Sequence, residues 1–184
     1  MTSIRSKLSI AFLLVATAIA GCNADSDADS QDAEVPSDYS HYRKGDISVA
    51  YPSTWTFFFD DRASLYADRE VNFKVSDFST ARILILNEHQ RSTESVVDHF
   101  VDEFQIKSDS LLINYERSST TIAGFSGERI TWSDTLAGQS DFEFTVIKVQ
   151  DEPYDTFVTF NLSDEDIPKN EVHKAHFVQS IQLD

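Results

Sequence analysis

From Ile47 onward, apolar residues recur at every second position over most of the chain, and this period constrains the fold more than any other feature. Side chains of an extended strand alternate between faces, so a two-residue apolar period makes sheets with one covered face. Ile47, Val49 and Tyr51 share one face, followed after Pro52 by Trp55, Phe57 and Phe59, and Val71, Phe73 and Val75 repeat the pattern. Ile83, Leu84, Ile85 and Leu86 are apolar on both faces, which predicts an interior strand. Leu111, Ile113 and Tyr115 alternate again, as do Ile130 with Trp132, and Phe142, Phe144 and Val146 precede Tyr154, Val158, Phe160 and Leu162. Leu136 to Gln139, and Asp151, Glu152 and Pro153, supply turns between strands and predict antiparallel hairpins.

Two segments have helical period instead. Thr93 to Ile106 puts Val96, Val97, Phe100, Val101 and Phe104 on one stripe and Asp98, Asp102 and Glu103 opposite, with Ser92 or Thr93 able to cap the start. Pro168 to Ser180 is the second, with Pro168 in its first turn and Val172, Ala175, Val178 and Ile181 at helical spacing. One set of strands flanked by these helices predicts an α+β fold, an antiparallel sheet in an αβα sandwich. A chain of 184 residues with 41% hydrophobic side chains has material for one such domain, expected over residues 42–184.

The amino end is of another kind. Arg5 and Lys7 precede an apolar run from Leu8 to Ala20, the charged and apolar regions of an export signal. Thirteen residues cover roughly 20 Å as a helix, short of the roughly 30 Å of a bilayer core. The run ends in Ile19-Ala20-Gly21-Cys22, which resembles the lipobox of bacterial lipoproteins at all four positions. That resemblance implies a signal peptide over residues 1–21, recognised at Ile19, Ala20 and Gly21, and acyl chains on Cys22. Two or more chains, at about 0.8 kcal/mol per buried CH₂, convert marginal membrane binding into stable anchoring. Asn23 follows the cysteine, where lipoproteins retained in the inner membrane of enteric bacteria tend to carry aspartate. The resemblance therefore favours the outer membrane, facing the periplasm.

Residues 22–41 are expected to be an acidic tether. Asn23 to Ser40 holds six acids, four serines and three alanines, with no base and almost nothing to bury. Eighteen such residues span roughly 25 Å as a coil. Asp25, Asp27 and Asp29 imitate the opening of a calcium loop, but Ser30 and Pro36 stand where such a loop needs glycine and glutamate.

The chain has 15 bases against 31 acids, and two of the bases lie in the acid-free leader, so the remainder carries −18. Such a charge repels phosphate backbones and anionic headgroups, which disfavours nucleic acid as a partner and suits a solvated surface. Cys22 is the only cysteine, so beyond it there are no disulfides, thiolate metal sites or cysteine nucleophiles.

Motifs that would carry chemistry are thin. Gly124-Phe125-Ser126-Gly127 imitates a nucleophile elbow but lacks a spacer residue and precedes a strand, so a tight turn is expected there. His173 and His176 lie on neighbouring turns of the second helix, with Glu171 or Asp166 as conceivable oxygen ligands for a metal. No third ligand stands at a fixed spacing and Lys174 adds charge beside them, so solvated histidines on a wet helix face are expected. His99 with Glu103 is expected to be a surface pair on the first helix. Of Trp55, Phe57, Phe58 and Phe59, most are expected in the core, with Phe58 on a second buried face under a helix.

The order of elements resembles a known fold. Ile47 to Pro52 with Trp55, the helix after the fourth strand, the Ile122 to Gly127 turn entering a strand, and a closing helix ending in His176 to Ile181 are similar to the PsbP-like fold. Photosystem accessory proteins, the Ran-binding Mog protein and bacterial lipoproteins of the DcrB type share that fold, and the likeness covers about residues 42–184. It implies a shape and a habit of binding proteins, and no chemistry. The chain is therefore expected to be a lipid-anchored, non-enzymatic binding or accessory protein of the cell envelope, without cofactor or metal and with a protein partner there. The alternative is a small-ligand or metal-binding lipoprotein using an acidic cleft with His173 or His176.

Overall fold

The computed structural model describes residues 38–62, 67–87, 91–108, 113–134 and 140–183, with side chains described for all of these except 104–108, 113, 114 and 134. The leader, Cys22, the tether up to Ser37, Leu111 and the turn expected at Leu136 to Gln139 lie outside the described residues. Among the described residues, ten strands and two helices follow in the order β1 (Tyr39–Lys44), β2 (Ile47–Pro52), β3 (Thr56–Arg62), β4 (Arg69–Lys74), β5 (Thr80–Leu86), α1 (Thr93–Ser108), β6 (Ile113–Ile122), β7 (Phe125–Asp134), β8 (Ser140–Gln150), β9 (Asp155–Ser163), α2 (Ile167–Ser180) and β10 (Gln182–Leu183). The fold is α+β and dominated by antiparallel sheet.

The strands form two sheets where the sequence suggests one set. Seven strands pair in the order β3-β4-β5-β9-β8-β7-β6, and a smaller sheet has the order β1-β2-β10. The cause is the corner after Pro52, where the Trp55 amide donates to the Pro52 carbonyl at 2.9 Å and the chain leaves the small sheet for the large one. β1 begins at Tyr39, so Tyr39, Ser40 and His41, expected in the tether, belong to a strand. β5 lies between β4 and β9, the interior place that its two apolar faces require.

Alternation along β5 shows how each face of the large sheet is covered. Ala81, Ile83 and Ile85 pack with Val71, Phe73, Val158 and Phe160 beneath Phe177 and Val178 of α2 and Ile47 and Val49 of the small sheet. Leu84 and Leu86 point the other way, joining Phe144, Val146 and Phe157 beneath Val96, Val97 and Phe100 of α1. Ser92 caps α1, its hydroxyl accepting from the Ser95 amide at 3.1 Å.

Two of the expected turns are seen. Ala123 (φ 55°) and Gly124 (φ 89°) join β6 to β7 as a two-residue hairpin with both central residues left-handed. Gly127 lies inside β7, and a Cβ there would come within 2.1 Å of the Val146 carbonyl oxygen, so glycine is needed for the approach of β8. Asp151, Glu152 and Pro153 turn β8 back into β9.

Expectation and structure part at β3 and α2. Phe57 and Phe58 are exposed, Phe58 to 66%, because β3 is the edge strand and its register breaks between Phe57 and Phe59. That bulge turns Phe58 out of the ladder, so the buried face expected for it does not exist. On α2 the buried residues are Asn170, Lys174, Phe177 and Val178, while Val172 is 76% exposed. The helix is rotated from its hydrophobic stripe because Phe177 and a buried lysine claim the inner face.

Candidate functional site

His173 and His176 lie one turn apart on α2, and Tyr39 at the start of β1 is placed against both. The Tyr39 hydroxyl is 2.7 Å from His173 Nδ1, and its ring centroid is 4.2 Å from that of His176. Both imidazoles are half-buried, in place of the solvated pair expected. A metal taken through His173 Nδ1 would have to displace Tyr39. The two conceivable oxygen ligands are also engaged: Glu171 pairs with Lys174 at 2.8 Å, and Asp166 accepts from three serines. Among the described residues no group of three His, Cys, Asp or Glu is placed to hold a metal ion.

Beneath the histidines lies a charged centre that the sequence concealed. Lys174 is only 3% exposed, and its Nζ reaches Glu143 Oε1 of β8 at 3.0 Å. Thr145 Oγ1 donates to the same oxygen at 3.1 Å, and Arg129 Nη1 lies 3.8 Å from Glu143 Oε2. These contacts make the lysine a tie between α2 and the sheet. A lysine beside two histidines reads as surface charge; only the sheet's register shows that a glutamate lies below it.

Three further arrangements complete the polar geometry. Arg69 joins the sheets: its guanidinium donates to Asp60 Oδ1 (3.0 Å) and Oδ2 (3.1 Å) on β3, to Asp46 Oδ1 (2.5 Å) and to the Lys44 carbonyl (2.8 Å) in the β1–β2 turn. Burial would raise the Asp60 pKa, but Arg69, Tyr42 and Lys44 outweigh it and hold the carboxyl well below the usual range. Tyr42 is pushed up to about 12, first by burial and then by its hydrogen bond to Asp60. At the start of α2, Asp166 Oδ2 accepts from Ser76 (2.6 Å), Ser79 (2.6 Å) and Ser163 (3.0 Å). Its pKa is lowered, because the serines and Lys169 outweigh the raising effect of burial. An open polar cleft of ≈ 340 Å³ is lined by Glu94, Arg117, Ser118, Ser119 and Glu128. Arg117 is held there between Glu128 and Asp98, 2.8 Å from the latter, so it is neutralised as an anion receptor.

The sequence matches no family model and no curated protein. The solved structure of LpqN, described as involved in cell envelope biogenesis of Mycobacterium tuberculosis, is similar at a TM-score of 0.42 and 12% identity, over 79% of this chain and 90% of that one. A likeness at that level assigns neither fold family nor role.

Ser126 is in β7 opposite Thr121, a strand position and not an elbow. His99 is exposed on α1, its ring 6.2 Å from that of Phe100. Among the described residues no helix is long and apolar enough to cross a membrane. Two aromatic residues stand out at the surface, Phe58 and the 70% exposed Phe78, which lies in the β4–β5 turn. Phe78 was legible in principle, since it is a lone aromatic residue amid Ser76, Asp77 and Ser79 with no alternating apolar neighbour.

Proposed function

We propose that this chain is a lipid-anchored, non-enzymatic binding or accessory protein of the bacterial cell envelope, held at the periplasmic face, with the outer membrane favoured, and carrying a PsbP-like mature domain. The observation that carries this reading is Ile19-Ala20-Gly21-Cys22 at the end of a basic, then apolar leader, with no other cysteine in the chain. The domain supports it by how its polar groups are used. Lys174, Glu143, Arg69, Asp60 and Asp166 are each committed to ties between elements, which suits a rigid body that presents a surface.

Mass spectrometry of the exported protein tests the anchor. The expected amino terminus is Cys22 carrying diacylglycerol, and Cys22→Ser is expected to leave the precursor uncut. A bare thiol at Cys22, or a start downstream of it, would overturn the proposal. Crosslinking in intact cells tests the partner: a specific envelope protein is expected, and its absence would remove the adaptor role while leaving the anchor.

A further inference from the structure

Asp38, the first described residue, lies at one particular end of the domain. Tyr39 pairs with Pro52, the Ser53 amide donates to the Asp38 carbonyl at 2.8 Å, and the corner at Pro52 leads within four residues to Thr56. Thr56 is the cross-strand partner of Lys74, and Lys74 in turn faces Thr80 across the turn that carries Phe78. Cross-strand partners stand about 5 Å apart, so Asp38, the start of β3 and the β4–β5 turn crowd one end of the molecule. The Glu152 turn between β8 and β9 belongs to the other end, near Leu86 and Asp155.

The exposed aromatics of this end are held outward by structure. Phe58 is ejected by the bulge in β3, beside Phe57, whose ring stacks on Tyr42 at 5.0 Å. Phe78 is on a braced turn: Ser76 and Ser79 both donate to Asp166 Oδ2, the Phe78 amide donates to Ser76 Oγ at 3.3 Å, and the Val75 amide to the Ser79 carbonyl at 2.9 Å. Phenylalanines exposed together at one end of a domain mark a surface that meets an apolar partner. Residues 22–37 separate the lipidation cysteine from Asp38, and a chain of that length spans roughly 20–25 Å as a coil, so the bilayer is the apolar phase within constant reach. The charges around the patch fix its type. Asp38, Asp77, Asp164 and Glu165 are exposed there against two bases, Lys74, which Asp77 already pairs, and Lys169, which acts on Asp166, so this end is acidic on balance and an anionic surface is repelled.

We infer that the end bearing Phe57, Phe58 and Phe78 docks on the interface of a zwitterionic phospholipid bilayer, orienting the tethered domain so that the Glu152 end faces away from the membrane. This rests on the lipid-anchor reading of Cys22.

The test uses the acylated protein reconstituted in phosphatidylcholine vesicles. Once Cys22 is acylated the chain has no other thiol, so Thr56→Cys, Asp77→Cys and the control Glu152→Cys can each take one nitroxide label. Labels at 56 and 77 are expected to collide more with oxygen than with a water-soluble nickel chelate, and the label at 152 the reverse. Adding Phe58→Ser and Phe78→Ser, both at exposed positions, is expected to return the first two labels to the aqueous pattern with the circular dichroism unchanged. Replacing part of the lipid by phosphatidylglycerol is expected to weaken docking. Aqueous behaviour at 56 and 77, with acyl chains on Cys22 verified by mass spectrometry, overturns the docking and leaves the anchor standing. A protein without acyl chains overturns both.

Discussion

The two helices cover opposite faces of the same sheet by different means. α1 lies on β7 and β8 through Val96, Val97 and Phe100, and its ion pair to the sheet, Asp98 with Arg117, is at the surface, so its attachment is chiefly apolar burial. α2 joins the other face through one phenylalanine in an aromatic cluster together with a buried ion pair, a buried asparagine and an aspartate that collects three serine hydroxyls. Apolar packing is tolerant of sliding, whereas hydrogen-bonded and charged partners accept one position. α2, together with the small sheet it touches, is therefore fixed in register, and α1 is a lid held by area.

The sharpest break in that comparison is expected at Phe177. Its ring lies 5.4 Å from Trp55, 5.4 Å from Phe73 and 5.9 Å from Phe160, and nothing of it reaches solvent. Phe177→Ala is expected to cost toward the top of about 3–5 kcal/mol, because neighbours on two strands and the Pro52 corner cannot collapse into one hole. Phe100→Ala on α1, packed on Phe144 at 4.5 Å beneath an outer helix free to settle, is expected at the low end of the same range. Urea denaturation of both variants compares them, and equal losses would erase the distinction.

Next in size is the buried ion pair. Lys174→Met strands Glu143, and Glu143→Met strands Lys174; breaking such a pair costs about 3–5 kcal/mol, and Arg129 and Glu171 hold each loss near the bottom of that range. The double replacement leaves neither member of this pair buried without its partner and is expected to recover most of the stability. A double-mutant cycle reads the coupling directly, and additive losses would show that Lys174 acts only by filling space.

Much of the fold was legible in the sequence, and the reasons for the misses are physical. Period alone located the strands from Ile47 to Leu162, the interior character of β5 and both helices within a residue or two, because burial on a sheet or beneath a helix has a fixed repeat. Period cannot report an edge. Phe57 falls on the stripe of Trp55 and Phe59 and Phe58 on the opposite face, so both read as covered, and only the pairing order and the bulge put them outside. Nor can it report a polar residue whose partner is distant in sequence. Lys174 and Glu143, and Arg69 with Asp46 and Asp60, meet through tertiary structure, so the inner face of α2 was misjudged around Val172. The candidate site is the least legible part: helical spacing makes His173 and His176 neighbours, but nothing local separates Tyr39, which lies against both, from the acidic tether before it.

A smaller effect is expected in acid. Asp166 titrates below its ordinary value in the folded protein, so the unfolded chain binds its proton at higher pH than the native one. Its contribution is therefore complete above the unfolded carboxylate value, about 3.9, and is lost as pH falls through the lower folded value. Asp166→Asn is expected to cost about 1.5–3 kcal/mol at neutral pH, the usual worth of hydrogen bonds to a charged group, and to flatten the acid limb of the stability curve. Urea midpoints between pH 2 and 6 read this out, and an unchanged acid limb in the variant would show that the serine contacts carry no linkage. The same substitution loosens the turn that supports Phe78, so it couples the start of α2 to the exposed aromatic end.

The least effect is expected where α1 has its own ion pair. Asp98 meets Arg117 of β6 at 2.8 Å, but its side chain is mostly exposed and Arg117 keeps Glu128 when it is removed. Exposed pairs contribute about 0–1 kcal/mol and weaken further with salt. Asp98→Ala is accordingly expected to cost well under Lys174→Met, and the gap is expected to widen as ionic strength rises, since the buried pair is screened less. Urea midpoints of the two variants at low and high salt measure that gap. If Asp98→Ala proved as damaging as the α2 variant, α1 would also be fixed by charge, and the contrast between a registered helix and a lid held by area would fail.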